Sequence, residues 1–151
     1  MKKKHFYYCI ILFFCIVGTS NCKKDSSSNI AILQAKVDGS LVICDSIVRL
    51  PKSLGGTLYG IEGYKKGGGY FKLLFPIGSG VGTYTFLLSS AVYENEGWFS
   101  YDSNNQFKST SGSVIVTVAT GKKFKGTFSF PAQSYIGDTK TITEGEFEID
   151  Y

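Results

Sequence analysis

Strict apolar–polar alternation near the C-terminus commits this chain to pleated sheet. Across residues 141–151, Phe147, Ile149 and Tyr151 alternate with Glu146, Glu148 and Asp150. Successive side chains of a strand point to opposite faces, so the apolar residues go one way and the acids the other. A helix would scatter them around its axis. In the run 124–130, Phe124, Phe128 and Phe130 share a face, with Gly126 suited to a bulge or a close approach. Val114, Val116 and Val118 share a face in 113–118. One buried and one wet face is characteristic of antiparallel sheets. Lys122, Lys123 and Lys125 are expected opposite the terminal acids, as cross-strand pairs that discourage edge-to-edge association.

From residue 30 onward no window sustains a 3.6-residue apolar period. Short apolar runs between Gly, Asn, Asp and Ser clusters predict further strands at 30–37, 40–50, 57–64, 70–75 and 82–88, with shorter ones at 91–93 and 98–101. Asp38-Gly39 is a hairpin-turn dipeptide. Gly67-Gly68-Gly69 and the glycine-rich stretch 78–82 read as loop tips. The expected fold is all-β, an antiparallel β-sandwich or open barrel of about 8–10 strands, forming a single domain over 30–151 with enough chain for its own core. Cys44, in an apolar run, is expected as a small buried hydrophobe.

Residues 1–29 differ in character. Lys2-Lys3-Lys4 and His5 precede an uncharged apolar run at 6–17, then short polar residues up to Cys22. A helix over that run extends about 18 Å, against a bilayer core of about 30 Å. It is too short to span and fits the apolar region of an export signal. The stretch Val17-Gly18-Thr19-Ser20-Asn21-Cys22 resembles a lipobox, in the looser form of Bacteroidetes-type lipoproteins. The resemblance implies removal of residues 1–21 by cleavage between Asn21 and Cys22, and lipid on Cys22. Residues 22–29 then form the lipidated cysteine and a flexible tether. Two or three acyl chains on one residue make such an anchor permanent.

The strand and turn segments Ala35-Lys36-Val37-Asp38-Gly39, Gly82-Thr83-Tyr84, Gly126-Thr127-Phe128-Ser129-Phe130 and Thr143-Glu144-Gly145-Glu146-Phe147 also resemble small uncharacterised Bacteroidetes lipoproteins. That likeness implies a β-sandwich-like domain held in the cell envelope by its lipid, on the outer membrane at the periplasmic face or the cell surface.

Composition narrows the chemistry of the domain. The only histidine is His5, so the region beyond Cys22 lacks the commonest general acid–base side chain and zinc ligand. Cys44 is the one cysteine there, which removes disulfide and cysteine–zinc frameworks. Without Lys2, Lys3 and Lys4, 13 basic residues face 12 acidic ones, too even a balance for nucleic-acid binding. Glu144, Glu146, Glu148 and Asp150 raise the thought of a glycoside hydrolase, but their two-residue spacing reads as a solvated strand face. The oxygen-rich stretch 102–106 lacks the acids of a calcium loop. No Ser-x-x-Lys and no phosphate loop occurs beyond Cys22.

No enzyme activity, metal or cofactor is expected. The expected function is a membrane-anchored structural or interaction domain with a protein or glycan partner. The alternative is a surface carbohydrate-binding or adhesion module that stacks its ligand on Tyr64, Tyr70, Trp98 and Tyr101, which lie beside Gly- and Ser-rich segments.

Overall fold

The computed structural model describes residues 31–53, 58–76, 80–87, 95–102 and 104–150. The leader, the tether with Asn21 and Cys22, the expected strand at 91–93 and Tyr151 lie outside the described residues. Eleven strands follow one another: β1 (Ala31–Val37), β2 (Ser40–Ile43), β3 (Ser46–Ser53), β4 (Leu58–Tyr64), β5 (Tyr70–Pro76), β6 (Gly82–Thr85), β7 (Glu96–Ser100), β8 (Gln106–Ser109), β9 (Ser113–Ala119), β10 (Lys123–Ser134) and β11 (Thr139–Asp150). They form one antiparallel sheet in the order β2-β1-β11-β10-β8-β7-β5-β4-β3, with β9 branching from β10 and β6 from β9. The sheet curls into a half-barrel, so of the two forms expected it takes the open barrel.

The curl follows from connectivity. β2 and β3 sit at opposite ends of the sheet path, yet only Cys44 and Asp45 separate them in sequence. The Cys44 N–H donates to the Leu33 carbonyl (3.0 Å) beside β2, and the Asp45 N–H donates to the Tyr64 carbonyl (2.8 Å) beside β3. Two residues reach only about 7 Å, so the two ends of the sheet must meet at this corner. The run 40–50, expected as one strand, is therefore two.

The wall opposite is the hairpin of β10 and β11, which takes up the alternating C-terminal run. Phe124, Phe128, Phe130 and Ala132 point inward and are buried, as are Phe147 and Ile149. Ile142 is buried too, although it stands five residues before Phe147 and a regular strand would turn it outward. An extra residue resets the parity. Glu144 takes a positive φ of 49°, and the pairing slips between Phe128 and Phe130 on β10 and between Gln34 and Lys36 on β1. This is a β-bulge. A second slip, at Lys125/Gly126 against β9, leaves Val118 only half-buried, whereas Val114 and Val116 are fully buried.

Aromatic rings fill the interior across facing walls. Phe75 on β5 lies 5.8 Å from Phe124, 6.2 Å from Phe147 and 6.4 Å from Tyr84. Phe71 meets Phe128 at 5.9 Å, and Phe86 meets Phe130 edge-on at 5.4 Å. Each such ring contributes roughly 1.5–3 kcal/mol by leaving water. Outside, the expected cross-strand ion pairs form: Lys123 with Glu148 (2.5 Å) and Asp150 (3.6 Å), and Lys125 with Glu148 (2.6 Å). The segment after Asp102, read from sequence as loop, enters β8 at Gln106, where inward-facing Phe107 is buried.

Candidate functional site

One end of the half-barrel is open, and a cavity of ≈ 180 Å³ lies in it. Phe71 and Phe99, neighbours on β5 and β7, lie buried at its base with rings 5.0 Å apart. Val42 and Cys44 form one side, and the loop from Lys65 to Gly69 the other. Tyr70, Ser100 and Tyr101 complete the lining.

The loop is shaped by its glycines. Gly67, Gly68 and Gly69 have φ of 94°, 104° and 91°, a region L side chains rarely adopt. At Gly69 a β-carbon would also fall 2.6 Å from the Ser100 carbonyl oxygen and 2.9 Å from that of Tyr101. At Gly69 backbone thus packs on backbone, and only glycine fits there. Asp45 fixes the loop from below by accepting the Lys66 N–H at 2.5 Å.

Cys44 is buried, as expected, and burial pushes its thiol up to about 11, against a smaller opposing effect of the Phe71 backbone N–H. The thiol is therefore protonated at neutral pH, an apolar wall rather than a nucleophile. The buried Ser100 hydroxyl donates to the carbonyls of Asp102 and Asn105 (3.0 Å to the latter), closing the loop beyond Tyr101. In that loop Asp102 accepts the N–H groups of Asn104 (2.7 Å) and Asn105 (2.9 Å) and the Asn105 amide (2.8 Å). Those bonds hold its carboxyl below the ordinary range. The Asp102 carboxylate is turned to folding its own loop, and no group of three His, Cys, Asp or Glu able to hold a metal occurs among the described residues.

The four tyrosine and tryptophan candidates separate. Tyr70 and Tyr101 border the cavity, but Tyr70, preceding inward-facing Phe71 and opposite Tyr64, turns its ring to the outer face. Tyr101 is 47% exposed, its ring set edge-on to Phe99 at 4.7 Å, with the Lys140 ammonium 5.5 Å from its centroid. Lys140 in turn pairs with Asp38 at 2.7 Å, tying the β1–β2 turn to this rim. Tyr64 pairs with Tyr70 and stands on the outer face near Glu62; burial first, and then Glu62, raises both phenols. Trp98 follows inward-facing Phe99 in reverse parity and lies outside between Lys72 and Lys108. Its indole N–H donates to Glu96 (2.8 Å), and Lys108, paired with Glu96 at 2.6 Å, covers its ring at 5.4 Å.

Sequence reasoning had no hold on two further features of this end. Phe71 and Cys44 read as core, and only the fold shows that one side of each borders a cavity. Tyr135 and Ile136, in the turn of the β10–β11 hairpin, are 103% and 82% exposed. Apolar residues between Ser134 and Gly137-Asp138, where polar ones are usual, were the signal.

A curled antiparallel half-barrel with a small cavity of mixed polar and apolar lining at one end defines the class of this protein. The chain belongs to the family of a domain of unknown function, DUF6252, whose model matches residues 29–148. No curated protein and no solved structure matches it.

Proposed function

We propose that this protein is an envelope lipoprotein, anchored through Cys22, whose half-barrel is a non-catalytic binding domain that meets its partner at the end away from the anchor. One observation carries the reading. β1 begins at Ala31, opposite Ile149, whereas the mouth and the exposed Tyr135 and Ile136 lie at the other end of β11. At roughly 3.3 Å per residue, Asp138 and Ile149 are about 35 Å apart. A lipid on Cys22 holds the Ala31 end near the membrane and presents the mouth and its apolar hairpin tip outward. Two adjacent large apolar side chains in water at a turn offer a partner apolar surface to bury.

The non-catalytic part of the reading is supported by the acids. Glu144 pairs with Lys36 at 2.8 Å, Glu146 accepts the Gln34 amide at 2.5 Å, and Glu148 takes two lysines. A hydrolytic pair needs one carboxyl raised in a dry cleft, and these are partnered on the outer face of the sheet, Glu148 with its carboxyl lowered rather than raised. Sugar stacking on Trp98 draws less support than contact through the mouth, because Lys108 already occupies a face of that ring.

Two measurements test the proposal. Cells fed labelled palmitate are expected to label the wild-type protein and not Cys22→Ser; label on the variant would refute the anchor. A photo-crosslinker placed at position 136 is expected to trap one defined envelope partner, and the same group at exposed position 122, at the opposite end, is not. Equal or absent trapping would refute display of the mouth.

A further inference from the structure

We propose that the mouth cavity is a binding site for a small organic acid, a single ring or short branched chain that carries one carboxylate. This deepens the reading of the mouth as the working end and rests on it. Size sets the apolar part: the cavity measures ≈ 180 Å³, and an apolar cavity of about 150 Å³ accommodates benzene. The apolar surface open to a ligand is Val42 and the Tyr101 ring, backed by the buried Phe71, Phe99 and Cys44.

The rim sets the polar part. Lys65 and Lys66 are exposed members of the lining, and among the described residues neither forms an ion pair. The acids nearby are otherwise engaged: Asp45 with the Lys66 N–H, Asp102 with its own loop, and Asp38 with Lys140. The charges of this rim come close to cancelling, so long-range attraction is weak. Selection for an anion then comes from direct contact with two ammonium groups whose hydrogen-bond donors have no acid partner. A ligand with its ring against Val42 and Tyr101 and its carboxylate at the lysines uses both halves of the site.

The test uses the full, lipidated chain in lipid nanodiscs, with empty nanodiscs as the blank for partitioning. Saturation-transfer NMR compares 3-phenylpropionate, 3-phenylpropanamide and 2-phenylethylamine. The acid is expected to bind roughly tenfold more tightly than the amide, a difference of about 1.4 kcal/mol, and the amine least. Lys65→Ala/Lys66→Ala, both exposed, is expected to abolish that preference while leaving weak binding of the ring. Val42→Phe, which sends a ring into the cavity, is expected to abolish binding of all three. Equal affinity for acid and amide, no signal from the acid at millimolar concentration, or an unchanged preference in the double lysine variant would overturn the assignment. If Val42→Phe does not fold, the lysine variant still decides. Failure of these probes with crosslinking at 136 intact removes the ligand alone; loss of crosslinking with probe binding intact removes the display reading alone.

Discussion

The wall built by β9, β10, β11 and β1 and the mouth at the end of the half-barrel obey different rules. In the wall, side chains alternate between its bulges: Phe124, Phe128, Phe130 and Phe147 go in, while Lys123, Lys125 and Glu148 go out and pair with one another. In the mouth, alternation stops. Three consecutive glycines hold φ near +90° to +104°, a half-exposed Tyr101 replaces the next inward residue, and two lysines stand without acids. The wall buries its rings and pairs Lys36, Lys123, Lys125, Glu144 and Glu148, which makes it stable and chemically quiet. In the lining of one cavity the mouth keeps apolar surface and two lysines without an ion-pair partner among the described residues, and such groups are what a ligand can use.

The sharpest way to break this comparison is to remove one ring from each region. Phe147 is buried between Phe75 (6.2 Å) and Phe124 (5.3 Å). Phe147→Ala is expected to lower unfolding free energy by about 3–5 kcal/mol, since the walls cannot collapse onto the void. Tyr101→Ala removes a ring that is half in water and is expected to cost about 1–2 kcal/mol. Urea denaturation measures both. A Tyr101→Ala loss equal to that of Phe147→Ala would mean that the mouth is structural wall after all.

The glycine loop gives a finer cut. Gly69→Ala places a β-carbon against the Ser100 and Tyr101 carbonyls at a φ of 91°, whereas Gly67→Ala has a similar φ of 94° and open space. Both are expected to suffer the left-handed backbone penalty, of order 1 kcal/mol. Only Gly69→Ala is expected to add a displacement of the loop, read as amide shifts in residues 65–71 and 99–101 and as altered binding of the phenylpropionate probe. Matching spectra for the two variants would show that contact at Gly69 does not shape the cavity.

The contrast also accounts for what could be read in the sequence. The all-β class, the inward set Phe124, Phe128, Phe130 and Phe147 and the lysine–acid pairs were legible because period-2 alternation carries them directly. The break at Cys44-Asp45 was not, since apolar residues continue across it and only the meeting of the sheet ends demands a corner. The Glu144 bulge was hidden for a related reason: parity changes inside an unbroken strand, and nothing in Thr143-Glu144-Gly145 announces it except a glycine. β8 was masked by the oxygen-rich residues before it. At the site, Tyr70 and Tyr101 were named from sequence beside Trp98 and Tyr64, but parity along β7 sends Phe99 in and Trp98 out. Composition marks rings near loops, and it does not say which side of the sheet they take.

The smallest expected effect sharpens the wall's side of the comparison. Glu148 accepts from Lys123 at 2.5 Å and Lys125 at 2.6 Å, and those bonds, Lys123 first, hold its carboxyl below the ordinary range. A carboxyl depressed in the folded state contributes stability that is present above its unfolded value and is lost as pH falls through the folded one. Asp38 and Asp102 are also depressed, so wild type itself weakens in acid. Glu148→Gln isolates one group. Its urea midpoint is expected slightly below wild type at pH 7, by less than either mouth variant, because exposed ion pairs are screened and weak. The gap is expected to close as pH falls through the depressed folded value of this carboxyl, below which the wild-type side chain is as neutral as the amide. Added salt at pH 7 is expected to narrow it in the same direction. A gap that survives both acid and salt would make Glu148 a packing residue of the wall rather than a charged one, and would remove the electrostatic half of the contrast with the mouth.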